Sequence, residues 1–234
     1  MTRYLLALDT ATEVCGVALA VDGKVQVKLS LDHGYTHAKS IMDAVGALLS
    51  LAGLNVQSVD AFAATKGPGS FTGLRIGIST IKGLAMAVGK PLVGVSSLAV
   101  LAHQASSTHE LVCPMLDARR KEVYWSLYRH ENQSLVALEP EHVGPAESVP
   151  AHIHGPCLFI GSGARVYQEV LQKQLAHPAQ WVPQVHDALD PGFLAVLAWR
   201  KIQEGQMDDV KTFAPHYLRR SDAEMSCTRP NTKS

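Results

Sequence analysis

The chain has 234 residues, of which 47% are hydrophobic and 18% charged, and its 21 lysines and arginines balance 21 aspartates and glutamates. This length allows one large domain or two small ones, with enough apolar residues for a core. The net charge of zero argues against a protein that binds nucleic acid by itself through a basic face, although a partner could carry the positive charge within a complex.

The first half of the chain is predicted to alternate strands and helices. Residues 4–8 form an apolar strand, and residues 14–21 and 24–31 form a hairpin around the Asp22-Gly23 turn. Apolar residues at helical spacing predict a helix over 37–52. The remaining elements predicted in this half are a strand at 59–64, a helix at 72–88, a strand at 92–95 and a helix at 97–105.

The most informative segment is 65–83, where a strand leads into a turn of glycine and proline and then into a helix. Ser70 or Thr72 can accept a hydrogen bond as the helix N-cap. Glycines inside this helix reduce its propensity, so they indicate that another segment packs closely against it. A strand, a glycine turn and a helix N-terminus also form a natural anion site. An ordinary turn with a small-residue packing face fits the same spacing.

The second half is predicted to begin in the same way as the first. Residues 111–116 form an apolar strand that ends before Asp117, and residues 123–128 form the return strand. The first half has the same order of an apolar strand, Asp9 and a return strand. This weak repeat predicts two halves that face each other across a cleft. Further predicted elements are strands at 134–138 and 157–160, a turn at 161–163 and helices at 164–175 and 192–203; prolines argue against a helix at 145–150. We expect halves of 1–106 and 107–220 and a disordered polar tail, 221–234.

The cysteines and the apolar runs indicate the cellular compartment of the protein. Four cysteines lie far apart without a CxxC pair: Cys15, Cys113, Cys157 and Cys227. This spacing argues against a zinc site or a disulfide framework and favours reduced thiols. The first apolar run is too short for a signal peptide, and no run reaches the roughly 18 uninterrupted apolar residues of a membrane helix. We therefore expect a soluble, cytoplasmic protein without a membrane partner.

Four motifs together resemble one family. The sequence from Asp9 to Thr12, directly after the first strand, resembles the first phosphate loop of the actin, sugar kinase and Hsp70 superfamily. The resemblance narrows from this superfamily to one family when three further segments are included: 66–77, 117–124 and 217–219. From Tyr4 to about residue 219 the chain resembles the TsaB (YeaZ) family of bacterial tRNA threonylcarbamoyladenosine biosynthesis, and 67–77 is the most specific part of the match.

The resemblance implies an α/β fold with two ribonuclease-H-like halves of the actin/sugar kinase/Hsp70 superfamily. It implies a non-catalytic scaffold subunit that pairs with a catalytic TsaD-type subunit and recruits a TsaE-type ATPase. Together these proteins would transfer a threonylcarbamoyl group to the adenosine beside the anticodon of tRNAs that read codons beginning with A. The chain would meet tRNA through the complex, and basic residues that could contact it are Arg119, Arg120, Lys121, Arg219 and Arg220.

The family pairs its subunits through the first two helices. Each of the corresponding helices here carries an apolar stripe and small residues that would let another helix approach. We therefore expect a homodimer of the chain alone and a heterodimer with the catalytic subunit over overlapping surfaces. The predicted interface residues are His37, Ile41, Met42, Val45, Leu49, Leu74, Ile78 and Ile81.

A missing histidine supports the non-catalytic role. The catalytic subunit of the family carries a His-x-x-x-His motif, which places two imidazoles on one helical face where they can hold a metal. In this chain His37 is followed by Ile41 at the second position. We therefore expect no metal site and no transferase chemistry in this chain.

A weak or vestigial nucleotide site is a separate prediction. Acids at the strand ends of both halves could position magnesium through water, with hydroxyl groups on a phosphate and glycines beside the adenine or ribose. The residues of this predicted site are Asp9, Thr10, Thr12, Asp117, Gly161 and Gly163. The opposing interpretation, which we favour, is that each acid ends a strand and satisfies turn amides. We expect weak ATP binding with negligible hydrolysis, ATP or ADP at most at the partner interface, and no tightly bound cofactor.

Other enzymatic functions have less support. The alternative function is an active ATP-dependent small-molecule kinase of the same superfamily, in which Asp9 would be the phosphate-loop acid, but no residue stands out as its base. A dinucleotide site is disfavoured because the glycine turn follows the fourth strand and Pro68 removes an N–H group. A serine hydrolase is disfavoured because the chain has no Gly-x-Ser-x-Gly turn.

Overall fold

The computed structural model describes residues 3–32, 37–105, 111–131 and 134–219. The first half forms a five-stranded sheet from β1 (Tyr4–Asp9), β2 (Val14–Val21), β3 (Lys24–Asp32), β4 (Ala61–Gly67) and β5 (Leu92–Ser96), in the order β3-β2-β1-β4-β5. β4 and β5 run parallel to β1, and the β1–β2–β3 meander is antiparallel. Its helices are α1 (His37–Leu51), α2 (Phe71–Val88) and α3 (Ser97–Gln104).

The second half forms a seven-stranded sheet. Its strands are β6 (Leu111–Arg119), β7 (Glu122–Trp125), β8 (Tyr128–Glu131), β9 (Ser134–Ala137), β10 (His142–Pro145), β11 (Cys157–Ile160) and β12 (Ala179–Trp181). The main path is β10-β7-β6-β11-β12, and the β8–β9 hairpin pairs with β6. The helices are α4 (Ser162–Val166), α5 (Gln168–Gln172) and α6 (Pro191–Gln203), and short 3-10 helices span Val56–Ser58, Ala146–His152 and Gln184–His186.

The two sheets share one topology, which confirms the predicted repeat. In each sheet the first strand is central, two strands continue antiparallel on one side, and the last two run parallel to the first on the other side. In the second sheet the β8–β9 hairpin is inserted in the chain between the two antiparallel strands, β7 and β10. Asp9 ends β1, and Asp117 lies in the corresponding part of β6. The weak sequence likeness between the two strand ends therefore reflects a shared architecture.

The first sheet is buried on both faces. Because side chains alternate along a strand, Leu6 and Leu8 of β1 point to one core and Leu5 and Ala7 to another. The core under α1 and α2 contains Leu6 and Leu8, and the core under α3 and α6 contains the other two. This two-sided burial explains why β1 has no polar residue before Asp9.

The predicted elements of the second half differ from the structure in five places, and one of them is the 3-10 helix Ala146–His152, which lies where prolines argued against a helix. The predicted strand 123–128 is broken, because the Ser126 hydroxyl donates to the Glu139 carbonyl and β8 turns away to pair with β9. The strand beside β7 is therefore β10, which the sequence pattern did not indicate. The predicted helix 164–175 is interrupted at Tyr167, whose φ of −107° and ψ of 14° lie outside the helical region, and β12 was not predicted.

The end of the described chain returns to the first half. Helix α6 packs on β1, β2 and β3 rather than on the second sheet. Phe213 lies in the core beneath α1 and α2. The predicted half 107–220 thus supplies one layer of the first half, and the predicted disordered tail, 221–234, lies outside the described residues.

One described helix, α2, is long and apolar enough to cross a membrane by length and composition. Its apolar face is covered, since Leu74, Ile78, Ile81 and Ala85 are buried against the first sheet. This burial is typical of the core helix of a globular domain.

Candidate functional site

The C-terminal strap, defined here as residues 208–219, runs beside β5 from its first residue, Leu92, to the end of β4 at Lys66. Asp208 N–H donates to the Leu92 carbonyl over 2.9 Å, and His216 N–H donates to the Lys66 carbonyl over 2.6 Å. The Asp208 carboxylate also accepts the Gly94 N–H over 2.7 Å. The bonds of Asp208 hold the strap against β5, and the bond of His216 holds it against the segment 66–77 that distinguishes the sequence.

The strap contacts the start of α2 through an aromatic stack. The rings of Phe71 and Tyr217 lie with centroids 4.7 Å apart. The Arg75 guanidinium lies 3.9 Å from the centroid of Phe71, and its Nε donates to the Tyr217 hydroxyl over 3.1 Å. Two motifs separated by about 140 residues in the chain are thereby brought together.

Two ion pairs connect the remaining motifs. Arg219 Nη1 of the strap lies 2.8 Å from Glu122 Oε2, at the base of the β6–β7 turn. Arg119 Nη2 in that turn lies 3.2 Å from Glu13 Oε1 in the loop after β1. The four motifs therefore meet at one place, between the two halves, and this meeting point is the candidate functional site.

A titratable cluster under the strap was not indicated by the sequence. Glu141 precedes β10 and accepts a hydrogen bond from the Ser96 hydroxyl at the end of β5. Its second carboxylate oxygen lies 3.5 Å from His216 Nδ1. Burial raises the pKa of Glu141 above its ordinary value. The cluster joins the first half, the second half and the strap, and no local pattern around Glu141 could have revealed it.

The turn before α2 requires its glycine and its cap. The Gly67–Pro68 peptide is cis, and Gly67 has a φ of 114°, a backbone conformation that glycine tolerates. A Cβ at Gly67 would lie 2.6 Å from the His216 carbonyl oxygen, so the strap could not approach as closely. Ser70 accepts the Gly73 N–H over 3.2 Å, which confirms it as the N-cap.

The glycines of this segment pack against the loop after β1. A Cβ would lie 2.4 Å from the Ala11 carbonyl oxygen at Gly69, 2.1 Å from the Thr10 carbonyl oxygen at Gly73, and 2.1 Å from Thr10 Oγ1 at Gly77. Thr10 Oγ1 itself donates to the Gly73 carbonyl over 2.7 Å. The expectation that another segment approaches this helix is confirmed, and the loop that resembles a phosphate loop is the segment that does so.

Asp9 is enclosed behind that loop. Its side chain is buried, and its Oδ1 accepts the Thr65 hydroxyl and the Ala11 N–H. Its Oδ2 is buried without a hydrogen-bond partner among the described residues. Burial raises the pKa of Asp9 to about 6, and the bonds from Thr65 and Ala11 oppose that rise only in part.

The other residues of the predicted nucleotide site make internal contacts. The Thr12 hydroxyl donates weakly to the Val14 carbonyl over 3.4 Å. Asp117 Oδ1 accepts the Arg119 N–H over 2.9 Å, which is the turn-capping role that we favoured for this acid. A Cβ at Gly161 would lie 2.4 Å from the Met115 carbonyl oxygen, and one at Gly163 would lie 2.9 Å from the Leu116 carbonyl carbon. These two glycines let α4 approach β6.

A cavity of about 260 Å³ lies beside Gly161, between α4 and the end of β12. Its wall includes Trp181, which stacks on Phe159 with ring centroids 4.7 Å apart. Arg165 at its rim is paired with Asp187. Nucleotide binding to this chain stays a prediction.

Comparison with known proteins places the chain in a family. The family model described as TsaD, tRNA N6-adenosine threonylcarbamoyltransferase, matches residues 34–227. The tRNA threonylcarbamoyladenosine biosynthesis protein TsaB of Escherichia coli (strain K12) is 32% identical, over 94% of this chain and 96% of that protein. The TsaB protein of Bacillus subtilis (strain 168) is 30% identical over 94% of this chain and 96% of that protein. The chain belongs to the TsaB (YeaZ) family.

Solved structures agree with the assignment to the TsaB family. YeaZ from Pseudomonas aeruginosa is 32% identical and superposes with a TM-score of 0.81 over 92% of this chain and 100% of that chain. Component A of the Acidaminococcus fermentans (R)-2-hydroxyglutaryl-CoA dehydratase is 12% identical with a TM-score of 0.50, over 86% of this chain and 99% of that chain, which indicates a common fold. The expected α/β fold with two ribonuclease-H-like halves of the actin/sugar kinase/Hsp70 superfamily is confirmed.

The structure corrects the side chains assigned to the TsaB-type pairing surface. Among the residues predicted for it, Met42 is 48% exposed. The side chain of His37 is not among those described. The others are buried in the cores of this chain, because the apolar stripe of each helix faces the first sheet: Ile41, Val45, Leu49, Leu74, Ile78 and Ile81. They cannot form a surface, although pairing through α1 and α2 stays a prediction.

The outer face of α1 and α2 exposes many small residues beside two methionines, together with Asp43 and Leu51 of α1. A Cβ added at Gly46 or Gly83 would meet nothing within 4 Å, so the helix backbones are open to close approach there. Met42 is 48% exposed and Met86 is 59% exposed. The other exposed small residues are Ala47, Ser50, Ser79 and Ala87. This outer face is the surface that a TsaB-type pairing could use.

The described residues contain no group of three or more His, Cys, Asp or Glu side chains that could hold a metal ion. Ile41, four residues after His37, is fully buried. An imidazole at this position would lie within the core beneath α1.

Proposed function

We propose that this chain is the non-catalytic subunit of threonylcarbamoyl transfer to the adenosine beside the anticodon of tRNAs that read codons beginning with A. In this proposal it binds a TsaD-type catalytic subunit and a TsaE-type ATPase, and meets tRNA through their complex. Support comes from relatives named for tRNA threonylcarbamoyladenosine biosynthesis and from the match to a family model named for the transferase.

The enclosed first loop is the observation that carries the non-catalytic role. The backbone at Gly69, Gly73 and Gly77 lies so close to Thr10 and Ala11 that a Cβ at any of these glycines would clash with them, so this side of the loop is packed against protein rather than open to a ligand. The adjoining Asp9 carboxylate is buried and bonded to Thr65. A packed loop stabilises the fold and fixes the position of α2, which suits a scaffold.

The assembly is proposed to use the outer face of α1 and α2. The small residues there permit helices of another subunit to approach closely, and the exposed Met42 and Met86 add apolar area. We propose a homodimer of the chain alone and a heterodimer with the catalytic subunit in the cytoplasm. ATP or ADP would bind weakly, at the partner interface.

The alternative of an active small-molecule kinase has less support. Such an enzyme needs its phosphate-loop acid at a cleft that water and magnesium can enter. Asp9 instead lies in the protein interior behind Thr10 and Ala11. Magnesium-dependent ATP turnover that is abolished by Asp9→Ala would restore this alternative.

Reconstitution tests the proposed function directly. The chain is mixed with a TsaD-type protein, a TsaE-type protein, ATP, threonylcarbamoyl-adenylate and a tRNA that reads an A-initial codon, and each protein is omitted in turn. We expect modified adenosine when all are present and none when this chain is omitted or acts alone. Modification by the chain alone, or unchanged modification without it, would overturn the proposal.

A further inference from the structure

Cations line one edge of the candidate site. The β6–β7 turn carries Arg119, Arg120 and Lys121, which are all exposed to solvent. Arg219 of the strap is bonded to the base of this turn, and Arg75 reaches the strap from α2. These five residues are called the basic edge.

The backbone of the turn is unfavourable for the side chains that it carries. Arg119, Arg120 and Lys121 have φ values of 64°, 57° and 65°. This left-handed region suits glycine or asparagine, whereas a long side chain raises the energy of the turn. Because the turn geometry does not require cations and glycine would stabilise it more, the three cations indicate a use at the surface.

Aromatic rings lie at the other end of the basic edge. Arg75 contacts Phe71 and Tyr217, and because both partners are uncharged rings, these contacts direct the guanidinium without neutralising it. Tyr217 keeps 38% of its surface exposed. A cation beside an exposed ring is the arrangement that binds a phosphate together with a stacked base in single-stranded nucleic acid.

Carboxylates also lie along the basic edge. Glu13 and Arg119 are 82% and 74% exposed, so their ion pair is weak in water. Glu122 pairs with Arg219, and Asp117 is bonded within the turn. The exposed ion pair of Arg119 is therefore one that an incoming phosphate can displace.

We propose that the basic edge binds the sugar-phosphate backbone of the tRNA, and that Tyr217 offers a ring face to an unpaired base. This inference rests on the proposed function, which brings tRNA to a complex that contains this chain. Arginine and lysine side chains on phosphates act on affinity rather than on base selection. The neutral balance of the chain fits a surface that adds affinity inside a complex, where other subunits also contact the RNA.

The experiment measures binding of an unmodified tRNA transcript to the reconstituted complex over a range of salt concentrations. Arg120→Glu/Lys121→Glu should weaken tRNA binding about tenfold or more and lower the salt dependence by one or two phosphate contacts. The KM for tRNA should rise while kcat stays close to that of the wild type. Lys24→Glu/Lys173→Glu makes the same charge change at two other exposed positions and should bind as the wild type does.

A second variant separates charge from folding. Arg120→Gly/Lys121→Gly removes both cations and relieves the left-handed backbone, so it should unfold at equal or higher denaturant concentration than the wild type and still bind tRNA more weakly. Tyr217→Leu should weaken binding without changing its salt dependence, because it removes a ring and no charge.

The outcomes distinguish this inference from the proposed function. Unchanged tRNA binding by both turn variants, in a complex whose activity needs this chain, overturns the inference alone. Loss of the TsaD-type or TsaE-type protein from the complex with unchanged tRNA affinity also overturns it, because the edge is then a protein-docking surface. If modification does not need this chain at all, the proposed function fails and the inference fails with it.

Discussion

At the scale of single residues, Asp9 shows how the tertiary environment changes a carboxylate that resembles a phosphate-loop acid. Its backbone position at the end of β1 is the one the sequence indicates. Its Oδ1 accepts bonds from Thr65 and Ala11, whereas its Oδ2 is buried without a partner in the described part of the chain. The residue therefore stabilises the loop through one oxygen, and ionisation of the carboxyl group is costly.

Asp9→Asn should make the protein less sensitive to pH. The pKa of Asp9 is raised from 3.8 to about 6 in the folded state, so its ionised form destabilises the native protein as the pH rises from about 4 to above 6. At about 1.4 kcal/mol per pKa unit, this effect amounts to at most about 3 kcal/mol. Asparagine keeps an acceptor for Thr65 and Ala11 and cannot ionise.

Urea unfolding at several pH values between 4 and 7.5 checks this prediction. The free energy of unfolding of Asp9→Asn, minus that of the wild type, should increase as the pH rises. Asp43→Asn on the exposed side of α1 removes one charge from the surface and is the control. A constant difference for Asp9→Asn across the range would show that Asp9 does not carry this pH dependence.

At the scale of elements, α2 combines glycines with opposite roles. Gly77 faces the loop after β1, where a Cβ would lie 2.1 Å from Thr10 Oγ1 and 3.0 Å from a methyl carbon of Leu8. Gly83, less than two turns later, faces open space. The same residue type thus permits close packing at one position and leaves an exposed helix surface at the other.

Two substitutions in α2 should therefore change stability in opposite directions. Gly77→Ala should destabilise the protein by about 1–3 kcal/mol, because it forces Thr10 and the loop away from the helix. Gly83→Ala should stabilise it by up to about 1 kcal/mol through helix propensity. Denaturant unfolding of both variants at one protein concentration measures the difference, and equal effects would contradict the packing argument.

At the scale of the whole molecule, the chain returns to its beginning. Helix α6 covers the first sheet and the strap binds Lys66, so the ends of the described chain and the first half form one structure. This return buries the inner faces of the first half and leaves the small-residue face of α1 and α2 uncovered. That face is where self-association is expected.

Met42→Arg/Met86→Arg should weaken self-association and pairing with a TsaD-type subunit without unfolding the chain. Both side chains are about half exposed, so charged replacements remain in solvent in the monomer but would be desolvated at a helix–helix contact. Sedimentation equilibrium should show a monomer at concentrations where the wild type is a dimer. Val166→Arg is the control, since Val166 is 54% exposed on α4 of the second half. A variant that still dimerises like the wild type would place the contact elsewhere.

Features that depend on neighbouring residues could be predicted from the sequence. The Asp22-Gly23 turn encodes the β2–β3 hairpin, since both residues adopt positive φ. The Ser70 cap and the left-handed Gly89 define the two ends of α2. The likeness of the strand ends at Asp9 and Asp117 revealed the repeated topology. These signals lie within short segments, so they can be recognised without knowledge of the rest of the chain.

Only the tertiary structure decided which face of each element is covered. Periodicity showed that Ile41 belongs to the apolar face of α1 and that Ile78 and Ile81 share the apolar face of α2. It did not show that these faces pack on the first sheet. The contacts of Thr10 with Gly73 and of Lys66 with His216 join residues far apart in the chain, and no local pattern encodes such pairs. The contact with His216 forms because burying both faces of the first sheet requires α6 and the strap to return to it, and that return assembles the four motifs at one site.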